Sequence, residues 1–160
     1  MRIIFVLLVS STLSFGQTDS TISAFVQRFH KVAEYEHGKF NIPASISLAL
    51  GLMASECGTS QELLLANNIF QVQCHSTKCH DGHCIFIDGK RFIKFQTCWL
   101  SYRDFSKRYS SGKYVGLKEY SKDYRKFAYG LKSLGYSSDK HFAEQLIGTI
   151  ERYELFKYDK

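Results

Sequence analysis

Apolar residues recur at Ile22, Phe25, Val26, Phe29, Val32 and Ala33, the three- and four-residue spacing of a helix with one buried face. Asp19 or Ser20 is placed to cap its start, and Gly38 to end it. Pro43, the only proline of the chain, opens the next element. From Ala44 to Ala54 nearly every position is apolar or small, the pattern of a helix buried on all sides at the centre of a domain. Thr59-Ser60-Gln61-Glu62 has capping-box spacing, which predicts a short helix over 60–66 that Asn67-Asn68 turns the chain out of.

The pattern then changes period. Cys84 to Ile87, Asp88-Gly89, and Lys90 to Phe95 read as two strands joined by a tight turn, because Asp-Gly readily takes the positive φ angles of a type I′ turn. Helical spacing returns from Trp99 to Tyr109 and from Asp123 to Leu134, the latter stopped by Gly135. Asp139 is expected to cap a last helix that buries Phe142, Ala143, Leu146, Ile147 and Ile150. The prediction is an α+β domain, mostly α, of about six helices with a small β-hairpin lobe after the third.

The first sixteen residues stand apart: Arg2, an apolar run from Ile3 to Leu8, then Ser14 and Gly16 three residues and one residue before a cleavage point at Gln17. This is the pattern of a secretory signal peptide, too short in its apolar run for the roughly 20 residues of a spanning helix. The division is therefore 1–16 signal peptide and 17–160 one exported domain, with no transmembrane segment after cleavage. Loss of Arg2 lowers the formal charge from +6 to +5. A basic protein outside the cytoplasm meets anionic envelopes rather than nucleic acid, and its positive residues form no dense run.

Five cysteines, Cys57, Cys74, Cys79, Cys84 and Cys98, lie in the middle of the chain. In an oxidising compartment they read most economically as two disulfides and a leftover thiol. The alternative is a zinc module, since His75, His80 and His83 are interleaved with Cys74, Cys79 and Cys84, yet the four-residue gaps lack zinc-module spacing. The sequence calls for no metal and no cofactor.

A general acid working near neutral pH needs a carboxyl kept protonated by burial. Of the fifteen acidic residues, Glu56 alone lies in an apolar run. Ser47, Gly51, Ala54 and Gly58 share one face of the buried helix, either lining a groove or admitting a neighbouring helix. A second carboxylate is not evident: Asp81 and Asp88 lie in the lobe, and Asp88 is explained by its turn.

The run from Leu48 to Ser60, Leu-Ala-Leu-Gly-Leu-Met-Ala-Ser-Glu-Cys-Gly-Thr-Ser, resembles the active-site helix of glycoside hydrolase family 73, the flagellar and autolysin-type N-acetylglucosaminidases, where it reads roughly L-A-Q-A-I-L-E-S-G-x-G-x-S. Asn41 to Ser45 resembles the segment before that helix. Ala66-Asn67-Asn68-Ile69-Phe70 resembles A-x-N-N-x-F, with Gln71 where glycine is usual. Phe92 to Phe95 with Ser101-Tyr102-Arg103-Asp104 resembles F-R-x-Y and S-x-x-D-Y. Asp123-Tyr124 with Ala128 and Leu131 resembles D-Y-x-x-x-A-x-x-L, and Gly135-Tyr136-Ser137-Ser138-Asp139 resembles G-Y-A-T-D.

The resemblance implies a lysozyme-like fold and a peptidoglycan hydrolase acting on the β-1,4 bond after N-acetylglucosamine, in the periplasm, cell envelope or outside the cell. It places the general acid at position 54, which is Ala54 here, so that Glu56 is the fallback acid. Two residues of helix turn a side chain by about 200°, so Glu56 reaches the place of Ala54 only if the last turn loosens before Gly58. The resemblance also implies that Asn67, Asn68 and Phe70 shape the groove floor, that Tyr124 and Tyr136 flank the sugar, and that Tyr102 and Asp139 belong to the site. Two functions follow: a glucosaminidase whose acid is Glu56 or has been replaced at Ala54, or a noncatalytic relative that binds glycan strands or a partner protein.

Overall fold

The computed structural model describes residues 14–74 and 83–160, with side chains from 19 onward. Six α-helices are present among them: α1 (Ser14–Phe40), α2 (Ala44–Ala54), α3 (Gln61–Ala66), α4 (Cys98–Tyr109), α5 (Tyr124–Ser133) and α6 (Phe142–Arg152). Strands β1 (Cys84–Ile87) and β2 (Lys90–Ile93) form the lobe after α3, and 3₁₀ segments occupy Glu56–Gly58, Gly112–Tyr120 and Leu155–Tyr158. None of the described helices is long and apolar enough to cross a membrane.

The centre is α2. Nine of its eleven residues, Ala44 to Leu52, are buried. Around it pack α1, α5, α6 and the 3₁₀ segment Leu155–Tyr158. A Cβ added at Gly51 would stand 3.1 Å from both Ile69 Cγ2 and Phe25 Cζ, and 3.4 Å from the Tyr102 hydroxyl. The small-residue face is thus a packing surface along most of its length: Ser47 is buried with its hydroxyl donating to Ala44 O, and Gly58 lies under Phe25.

The start of α2 has no local cap, because Pro43 holds the N-cap position and its side chain can accept nothing. Asp159 fills that role from the far end of the chain. Its carboxylate accepts from the Ser45 backbone N–H at 2.7 Å and from the Ser45 hydroxyl at 2.6 Å. A negative group at a helix N-terminus also meets the favourable end of the helix dipole. Burial pushes the Asp159 carboxyl above its usual range, and the Ser45 hydrogen bonds and His37 only partly oppose this.

A second long-range tie joins α1 to α4. Glu36, buried on α1, accepts from Nε and Nη2 of Arg103 on α4 at 2.8–2.9 Å. A buried carboxylate without such a partner is strongly destabilising, so α4 is fixed in rotation against α1.

The hairpin follows its expected turn, with Asp88 at φ 47° and Gly89 at φ 75°, and pairs Ile87 with Lys90 through to Cys84 with Ile93. Cys74 and Cys84 are joined by a disulfide with Cα atoms 6.3 Å apart. Cys57 and Cys98 are free thiols, so the expectation of two bridges is corrected to one among the described residues. The disulfide removes Cys74 and Cys84 from the zinc alternative, while His75, Cys79, His80 and Asp81 lie outside the described residues.

Helix ends differ from expectation where a neighbouring residue does the work. α1 begins before Asp19 and Ser20 and passes through Gly38. It stops at Asn41, whose φ of 57° is the left-handed conformation Asn tolerates, and whose N–H donates to His37 O at 2.9 Å. α6 starts at Phe142 because Asp139 instead accepts from the His141 N–H, shaping the turn before the helix. The nine-residue segment Gly112–Tyr120 buries only Leu117, so it carries no apolar period to read.

Two outcomes are expected. Gly51→Ala lowers stability by about 1–2 kcal/mol despite alanine's better helix propensity, because the added methyl is pressed from both sides; urea unfolding measures it. For Asp159, the raised folded pKa means that its protonation-linked stability is fully present below the unfolded carboxyl value and is lost as pH rises through the folded one. Asp159→Asn keeps a neutral acceptor for the Ser45 N–H, so its stability relative to the native chain improves as pH rises from the unfolded carboxyl value through the raised folded one, and then levels off. Thermal melts across that range would show the opposite trend if ionised Asp159 were the favoured form.

Candidate functional site

The end of α2 is organised by Ser55. Its N–H and its hydroxyl both donate to Gly51 O, at 2.9 and 2.6 Å, closing the helix. Its carbonyl then accepts from the N–H groups of Gly58, Thr59 and Ser60 at 2.9–3.0 Å, and its hydroxyl accepts from the Gly58 N–H. To bring three N–H groups onto one carbonyl the chain must reverse sharply. It does so through three consecutive left-handed residues, Glu56 (φ 51°), Cys57 (φ 58°) and Gly58 (φ 95°). For Glu56 and Cys57 this conformation is disfavoured by about 1 kcal/mol each. Motif reading did not single out Ser55; the signal was its position ahead of a motif that has glycine at two of the next three places.

The turn decides where the two key positions stand. Ala54 closes the helix and is half-buried, with a methyl group that has no proton to give. Glu56 lies on the turn and is exposed to solvent, so the enclosed apolar surroundings expected for an acid are not around it. The helix does end early, as the fallback requires, but the reversal leaves Glu56 in water. The carboxyls withdrawn from solvent are engaged elsewhere, Glu36 with Arg103 and Asp159 with Ser45.

Beside the turn a cleft of about 150 Å³ opens between it and α1, lined by Phe25, Arg28, Phe29, Cys57 and Leu63. Burial pushes the Cys57 thiol up, which keeps it protonated rather than a thiolate nucleophile.

The Asn pair attaches the lobe. Asn67 caps α3 in the left-handed conformation at φ 50°, and its amide donates to Phe95 O at 3.0 Å and Gln96 O at 3.3 Å. Asn68 is fully buried: its amide donates to Val72 O and Ile93 O, and its carbonyl accepts from the Val72 N–H, all at 2.9 Å. Ser101 completes the junction by accepting from the Ile69 N–H. These contacts hold β2 against the end of α3, and they commit the amide nitrogens of both asparagines to protein.

Behind the turn runs a continuous aromatic row. Phe25, Phe29, Tyr102, Phe70, Phe105, Tyr109, Tyr136 and Phe142 touch in that order with ring centroids 4.3–5.8 Å apart. Tyr102 is fully buried, which corrects its expected contact with a ligand: its ring supports Phe29 and Phe70 from within. Tyr136, half-buried, stands next to last in the row. Burial, with Tyr109 and Tyr114 beside it, pushes its hydroxyl well above the usual phenol value, so it stays protonated and able to donate.

Two further expected members lack a ring contact with this row. Tyr124 donates to Glu151 at 3.3 Å and lies parallel to Phe156, and Asp139 is exposed at the approach to α6. Phe70, Tyr124 and Tyr136 pack against one hydrophobic core, and Asp139 is tied to the end of the aromatic row through the Phe142 N–H, which donates to its carbonyl at 3.2 Å. Among the described residues no group of three or more His, Cys, Asp or Glu could hold a metal ion.

The exo-glucosaminidase LytG of Bacillus subtilis is 26% identical in sequence, over 85% of this chain. The chain spans about half, 53%, of that relative's length. In fold it resembles the catalytic domain of the autolysin Auto from Listeria monocytogenes, with a TM-score of 0.74 at 20% identity over 98% of this chain and 99% of that one. It likewise resembles the glycoside hydrolase domain of FlgJ from Salmonella typhimurium, with a TM-score of 0.71 at 17% identity over 85% and 90%. The family described as mannosyl-glycoprotein endo-beta-N-acetylglucosaminidase matches residues 30–155. That span includes the buried helix, its turn, the lobe and the aromatic row from Phe70 to Phe142, and by it the chain belongs to the glucosaminidase family.

Proposed function

We propose that this chain is an exported protein that binds N-acetylglucosamine-containing glycan strands of peptidoglycan at the end of α2 and holds them without cutting them. One observation carries the reading: Ala54 stands where the family resemblance puts the general acid, and Glu56 is exposed on a left-handed turn. A general acid must arrive protonated and within hydrogen-bond reach of the leaving oxygen. Alanine can do neither, and an exposed carboxyl two residues later has neither the enclosure nor the helical position.

The remaining features of the site are intact, which supports binding. The Ser55 turn, the lobe held by Asn67 and Asn68, and the aromatic row are all supported by satisfied hydrogen bonds or ring contacts. In this reading Phe70 backs the groove, and Tyr136 offers a hydroxyl and a ring edge to the sugar. Tyr124 and Asp139 lie at its outer margin. The second reading, cleavage with Glu56 as acid, rests on the flexibility of a strained turn. The family implies action at the cell envelope or outside the cell, and the signal-peptide pattern of residues 1–16 supports export with a mature start at Gln17.

With purified cell wall, the native chain is expected to co-sediment while releasing no reducing ends, and Ala54→Glu to release them at least tenfold above background. Release by the native chain that disappears in Glu56→Gln would instead establish Glu56 as the acid. Expression with the leader intact should yield a secreted protein whose N-terminal sequencing starts at Gln17; an uncleaved N-terminus in the membrane fraction would refute the leader.

A further inference from the structure

A cluster of aromatic rings on the outer side of α1 and α4 has no part in the site described above. Tyr35 is 56% exposed and Trp99, the single tryptophan of the chain, is 42% exposed. With half-buried Phe40 they surround one guanidinium: Arg103 Cζ lies 4.4 Å from the Trp99 ring centroid, 5.4 Å from that of Phe40 and 5.8 Å from that of Tyr35. Arg103 cannot swing away, because Glu36 holds its Nε and Nη2 at 2.8–2.9 Å. The rings are therefore ordered around a fixed centre while much of their surface faces water.

We propose that Tyr35, Trp99 and Phe40 form a second glycan-binding platform, which takes pyranose rings of the N-acetylated strand by stacking. The inference rests on the glycan-binding reading above. The chemistry narrows the occupant. A cationic ligand is excluded because the chain's own guanidinium already fills the centre of the aromatic box. Arg103 is in turn neutralised by Glu36, so the platform itself does not select a strong anion. What remains is flat amphipathic ring surface of the kind that accepts the C–H face of a sugar and leaves its hydroxyls in water. Lys39, with Nζ 5.9 Å from the Phe40 ring centroid, puts a positive charge at the rim. That rim complements carboxylate-bearing peptidoglycan better than an uncharged polysaccharide. Because the rings are held in advance by the ion pair, little side-chain freedom is lost on binding.

Trp99 is its own reporter. Soluble, uncrosslinked peptidoglycan strands should change the tryptophan emission of the native chain in a saturable manner, with the same midpoint as calorimetric binding. Trp99→Ala should weaken calorimetric binding about tenfold, and Tyr35→Ala several-fold, in line with the usual contribution of a stacked ring. Circular dichroism and thermal melts check folding, and Tyr35→Ala leaves the Arg103 pairing with Glu36 and Trp99 in place if Trp99→Ala is unstable. Calorimetric binding with unchanged emission, and unchanged affinity in a folded variant, would overturn the platform while leaving glycan binding in place. Absence of binding by the native chain would overturn the glycan reading and the platform together.

Discussion

The burial of α2 on nearly every side is the constraint from which the rest of this structure follows. A helix with nine of eleven residues out of solvent cannot spare space or polar groups. Gly51 lets Phe25, Ile69 and Tyr102 close on it, which draws α1, the segment after α3, and α4 onto one surface. Its open N-terminus must be capped, and since Pro43 cannot do it the chain brings Asp159 back from 114 residues away. Helix-end satisfaction and core closure are here the same event.

The other end of α2 shows the opposite character. Ser55 gathers three N–H groups on one carbonyl, and that reversal requires left-handed backbone at three residues in succession. Glycine adopts it freely, and this chain has glycine at only one of the three places, with Glu56 where the resembling motif has glycine. The turn thus forms with a glutamate and a cysteine in left-handed backbone, directly after Ala54. The proposed binding role is consistent with this, since holding a sugar needs shape and hydrogen bonds but no titrating group.

Much of this was legible from local sequence. The buried helix, the Ser60-capped α3, the Asp-Gly hairpin, α4 and α5 all depend on spacing and turn chemistry within a few residues. Departures arose where a distant or alternative partner intervened: Asn41 stopped α1 beyond Gly38, and Asp139 shaped a turn rather than capping α6. The asparagine pair carried two meanings in the sequence, helix-ending turn and groove floor. The structure bears out the first, with Asn67 ending α3, and shows the amides of both holding the chain at and just after β2. Pairing of the cysteines was beyond local reading, as it depends on which residues the fold brings within bonding distance.

Sequence by itself determined the order and type of the elements, the membership implied by the motif run, and the chemical identity of residue 54. These are local properties, set by periodicity, by turn residues and by the side chain written at one position. Only the tertiary structure decided that Glu56 faces water, that Tyr102 is sealed inside, that Glu36 is an ion-pair partner of Arg103, and that Asp159 caps α2. Each of those depends on which surfaces meet across long stretches of chain. Burial and partnership are properties of the packed molecule, and they separate a carboxyl that can serve as an acid from one that cannot.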